Sequence, residues 1–63
     1  MFLVEEKSSA DSQRIAAIYM RPDGSFEGRI FCPADGSDDA FEVCGVTETL
    51  PRMETIVDEA LGL

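Results

Sequence analysis

The chain has no histidine, two cysteines and only five basic side chains, set against thirteen carboxylates. Each shortage excludes something. Histidine is the side chain whose ordinary pKa lies near neutrality, so its absence removes the commonest general base and a frequent metal ligand. A secreted domain of this size would carry a denser disulfide framework than Cys32 and Cys44 can make, so a cytoplasmic setting is expected. The longest apolar runs cover a few residues, far from the roughly 20 needed to span a bilayer. Met1-Phe2-Leu3-Val4-Glu5-Glu6 lacks the basic flank and long apolar stretch of a secretory signal. Arg21-Pro22-Asp23-Gly24-Ser25 has a single glycine and no Lys-Ser or Lys-Thr, so it is not a phosphate-binding loop.

The shortage of cations leaves a formal net charge of −8. Such a surface repels the phosphates of nucleic acids and anionic lipids, so direct contact with either is not expected. Two readings of this charge stand side by side: that it serves solubility alone, or that its field steers the molecule towards a basic surface on another protein.

What is present reads as one small globular domain, residues 1–63, at 44% hydrophobic and 29% charged. A chain this short buries only about 60% of its unfolded surface, so its core is small. The centre of the pattern is Arg21-Pro22-Asp23-Gly24, where Pro22 presets one turn dihedral and Gly24 supplies a positive φ. With Arg21 facing Ser25, the pairs Met20/Phe26, Ile18/Gly28, Ala16/Ile30 and Arg14/Cys32 share one face. Tyr19/Glu27, Ala17/Arg29 and Ile15/Phe31 share the other. One face is apolar and the other mixed.

Met1 to Glu5 reads as a short first strand with Phe2 and Val4 on one side, and Lys7 to Ser12 as a polar loop. Gln13 to Met20 carries two signals. Asp11 could cap a helix with Ile15, Ile18 and Tyr19 on one side, but the turn that follows demands a strand, and strand is the reading adopted. Ala40 to Val46 alternates again. A register of Cys32/Phe41, Ile30/Val43 and Gly28/Gly45 would extend the apolar face and set two glycines side by side beneath a helix. It would also put Cys32 and Cys44 on opposite faces, as two free thiols. Thr49 to Leu61 is an amphipathic helix, with Thr49 as cap, Pro51 in the first turn and Gly62 as the stop. The expected fold is therefore α+β: an antiparallel sheet of three or four strands with one C-terminal helix packed on one face. Its expected core is Ile18, Phe26, Ile30, Phe41, Val43, Leu50, Met53, Val57 and Leu61.

Catalysis is not expected. A nucleophilic Cys32 or Cys44 would need a neighbouring base or cation that the sequence does not supply. Asp35-Gly36-Ser37-Asp38-Asp39 has oxygen ligands at alternate positions, but lacks glycine at the sixth place and has Val46 where a calcium loop has its bidentate glutamate. No metal and no cofactor are expected. The remaining candidates are the carboxylates themselves: Asp35, Asp38, Asp39 and Glu42 around one loop, with Glu54, Asp58 and Glu59 along the helix. Carboxylates spread over a surface can imitate a row of phosphates and occupy a basic groove that normally holds nucleic acid.

In its small size, its lack of histidine, its acidity and its exposed Asp35–Asp39 and Glu54–Glu59 segments, the chain resembles small phage-encoded inhibitors of the anti-CRISPR type. The resemblance covers overall size and charge and no motif. It implies an inhibitor bound to a host effector complex over its nucleic-acid-recognition surface. The alternative is a small oligomeric structural or regulatory module, a homodimer for example, using the mixed face of Ile15, Tyr19 and Phe31.

Overall fold

The computed structural model describes residues 1–32 and 41–63, which form four strands and one helix. The strands are β1 (Phe2–Ser8), β2 (Ile15–Met20), β3 (Phe26–Phe31) and β4 (Phe41–Thr47), and the helix is α1 (Leu50–Leu61). All neighbouring strands are antiparallel, in the order β1-β2-β3-β4, and α1 packs over β2, β3 and β4. This is the expected α+β arrangement.

The β2–β3 hairpin has the register that the turn chemistry predicts, with all six pairs from Ile15/Phe31 to Met20/Phe26 in place. Gly24 takes φ 89°, the Arg21 N–H donates to the Ser25 carbonyl at 2.8 Å, and Asp23 accepts from both the N–H and the hydroxyl of Ser25. Residues 15–20 are strand because hairpin pairing outweighs the modest helix preference of Ala16 and Ala17. Asp11 starts no helix. It accepts from the Ser9 hydroxyl at 2.6 Å and the Gln13 N–H at 3.0 Å, closing a polar turn between β1 and β2.

Strand β1 is longer than expected and runs to Ser8, because Lys7 and Ser8 pair with Ala16 and Ile15. An irregularity between Leu3 and Glu5 makes Val4 an extra residue, so simple alternation fails there. A second irregularity changes β4. Gly28 does face Gly45, but Arg29 faces Val43, which leaves Cys44 as the extra residue. Beyond that bulge the pairs are Ile30/Glu42 and Phe31/Phe41, one residue away from the expected register. The consequence is a correction to the expected core. Phe41 and Val43 turn to the face without the helix and are exposed, whereas Cys44 joins the core side.

The pairings align residues in rows across the sheet. Beneath the helix run Phe2–Met20–Phe26–Thr47, then Glu5–Ile18–Gly28–Gly45, then Lys7–Ala16–Ile30–Glu42. On the opposite face run Leu3–Tyr19–Glu27–Val46, then Glu6–Ala17–Arg29–Val43, then Ser8–Ile15–Phe31–Phe41.

The helix buries Met53, Val57 and Leu61 against Ala16 and Ile18, with Phe26, Ile30, Cys44, Leu50 and Ile56 around them. It comes close because Gly28 has no side chain: a Cβ there would stand 2.6 Å from Met53 Sδ and 2.7 Å from Cys44 Sγ. Thr49 is the N-cap residue by position but makes no side-chain capping bond. Instead the Thr47 hydroxyl donates to the Thr49 carbonyl at 2.8 Å and fixes the bend into the helix. At the other end Gly62, at φ 77°, donates to the Glu59 carbonyl and Leu63 donates to that of Asp58, a Schellman closure. Arg14 adds its guanidinium to the Ala60 and Leu61 carbonyls, at 2.7 and 3.5 Å.

Candidate functional site

Among the described residues, the acidic side chains expected to bind a partner do not gather into one row. Asp35, Asp38 and Asp39 lie outside the described residues, as does the calcium-like segment 35–39. Glu42 is exposed on β4, in the row beside Ile30. Glu54 and Asp58, one helical turn apart, lie on the flank of α1 that looks over β1. There Lys7 donates to Asp58 Oδ1 at 2.9 Å and stands 3.7 Å from Glu5 Oε1. The hydrogen bond to Asp58 raises the Lys7 pKa above its ordinary value, and the charges of Asp58, Glu5 and Glu54 add to it. Glu59 is on the other flank, where with Arg52, Thr55 and Ile56 it lines a shallow depression. Two patches result: Glu54 and Asp58 beside Lys7, and Glu59 towards the β4 side.

The basic side chains explain why the surface stays so negative. Lys7 is held by Asp58, and Arg14 is spent on the helix C-terminus. Arg29 pairs with Glu27 and lies between two rings, its Cζ 4.4 Å from the Phe41 centroid and 4.6 Å from that of Tyr19. Three of the five cations are thus engaged inside the fold. Among the described residues Glu6, Glu42, Glu48, Glu54 and Glu59 form no ion pair.

The face without the helix is the feature that pattern reading assigned only in part. Ile15, Tyr19 and Phe31 are there as expected, but so are Phe41, Val43, Val46 and Leu3. Those last four are 43%, 51%, 48% and 47% exposed, and among the described residues no helix packs on this face. Phe31 and Phe41 tilt together with centroids 5.6 Å apart, next to the Arg29 stack. The signal hidden in the sequence was Cys44, whose extra residue reverses the facing of everything before it in β4.

Both cysteines are free. Burial pushes the Cys44 thiol above its ordinary pKa, the opposite of activation. Among the described residues no group of three or more His, Cys, Asp or Glu side chains is placed to hold a metal ion, and no helix is long and apolar enough to cross a membrane. Compared with protein-family models, with curated proteins and with solved structures, the chain finds no significant match.

Proposed function

We propose that this protein works by binding: it is a small acidic inhibitor that occupies a basic, nucleic-acid-binding surface of a protein partner. The observation that supports this most is the distribution of charge. Internal contacts engage Lys7, Arg14 and Arg29, so the outward field comes from carboxylates that the fold leaves without ion pairs. Local stability does not account for Glu54 and Glu59, since Glu54 repels Asp58 across one turn and Glu59 opposes the dipole at the end of α1. The likeness to phage-encoded anti-CRISPR inhibitors gives the partner its class, an effector complex that handles nucleic acid.

The test is capture of a partner from lysate by the purified protein, at low and then high salt. The reading expects a nucleic-acid-handling complex that salt or competing DNA displaces, and weaker capture by Glu42→Lys and by Glu59→Lys with the fold intact. Undiminished capture by both variants would remove the mimicry. A second reading, an interaction module without mimicry, is favoured by the sheet face on which, among the described residues, no helix packs.

A further inference from the structure

The two faces of the sheet are chemically alike, yet among the described residues a helix covers only one, and the other is shielded by no more than its own side chains, which bury Ala17 beneath them. Of the twelve positions in its three rows, the helix-free face has apolar or aromatic side chains at eight, and its polar members are Glu6, Ser8, Glu27 and Arg29. The molecule is 15 Å deep along its shortest axis, the depth of one sheet and one helix, and 32 by 23 Å across. Single-layer burial of so small a chain leaves, among the described residues, a core cluster of five, Ala16, Ile18, Met53, Val57 and Leu61. A sheet face of this composition is ordinarily packed against another layer.

Charge identifies the occupant. The whole chain carries −8, but the helix-free face carries two carboxylates and one guanidinium and is close to neutral. A basic partner would find few carboxylates there. An identical face suits it better, because Arg29 and Glu27 already neutralise each other within the chain and a two-fold axis can set Arg29 of one copy near Glu6 of the other. The acidic helices then point outward, away from each other. The breadth of the face is of the order of the ~800 Å² that each partner contributes to an interface of standard size.

We propose that the helix-free face, centred on Arg29 with Tyr19, Phe31, Phe41 and Val43 around it, is a self-association surface on which two copies of this chain stack sheet to sheet. The result is a two-sheet sandwich with a helix on each outer side. Phe41 and Tyr19 fix Arg29 in place before association, so little side-chain freedom is lost on docking.

Analytical ultracentrifugation of the full chain tests this, with wild type, Val43→Glu, Leu3→Glu and the control Thr55→Glu on the outer side of α1. Val43 and Leu3 lie on opposite edge strands, and each is about half exposed in the single copy, so a glutamate at either is compatible with folding, which circular dichroism verifies. The expected result is twice the monomer mass for wild type and Thr55→Glu, retained in molar salt. Self-association should be weaker by about 100-fold or more in both Val43→Glu and Leu3→Glu, since each buries a charge in an apolar contact. A wild type that stays monomeric at millimolar concentration overturns the proposal. So does loss confined to Val43→Glu, which would indicate pairing through the β4 edge. Resistance to salt separates this contact from binding to a basic partner, which salt weakens.

Discussion

Gly28 shows how much one residue can decide here. Its missing side chain admits Met53 Sδ and Cys44 Sγ to within 2.7 Å of where a Cβ would stand, while the neighbouring Gly45 meets nothing nearer than Ile56 Cδ1 at 3.6 Å. Gly28→Ala should therefore lower the free energy of unfolding by about 1–3 kcal/mol through overpacking, and Gly45→Ala by much less. Urea titration of the two variants checks this, and equal losses would mean that the helix can shift to admit a methyl group. Cys44 belongs to the same contact. Its thiol, held protonated by burial, should react with an alkylating reagent at neutral pH more slowly than an unfolded control.

At the scale of elements, the helix ends carry the clearest lessons. Gly62 was legible in sequence as a stop because few residues other than glycine accept a left-handed conformation cheaply. The start was legible only in position. Thr49 stands at the N-cap without a capping bond, and Thr47, two residues earlier and 7% exposed, supplies the hydroxyl that holds the bend. Replacing Thr47 with Val should cost about 0.5–1.5 kcal/mol, the net worth of an ordinary hydrogen bond. Thr49→Ala should cost less than Thr47→Val, the reverse of what capping preference alone would give. Thermal melts of the pair decide between them. The β2–β3 hairpin was readable because turn type fixes register, whereas β4 was not, because a bulge has no local signature as strong as Pro-Asp-Gly.

For the whole molecule, pH acts in opposing directions. Asp11 and Asp23 lie below their ordinary value of 3.8, held there first by hydrogen bonds from Ser9 and Ser25. A lowered carboxylate contributes stability that is present above its unfolded pKa and lost as pH falls through the lower folded value. The raised Lys7 contributes stability present below 10.5 and lost as pH rises through its folded value. Between these limits the self-repulsion of −8 is relieved by mild acid or by salt. The melting temperature should rise with added salt at pH 7. It should fall at pH below 3.8, and less steeply for Asp11→Asn combined with Asp23→Asn. Melts across a pH series that leave wild type and the double variant parallel in acid would show that those turns do not carry the dependence.

By itself the sequence determined the elements: where Gly24 turns the chain, which residues of β2 and β3 pair, that Leu50–Leu61 is an amphipathic helix, and that the surface is acidic. These follow from local rules, in which turn geometry, side-chain period and charge act over a few residues. Only the tertiary structure decided that Cys44 bulges, that Phe41 and Val43 leave the core, and that Asp58 is held by Lys7 while Glu59 lies on the other flank. Those outcomes depend on how closely the helix can approach Gly28 and on which strand each flank overhangs. Such contacts join residues far apart in the chain, and a short window of sequence does not contain them.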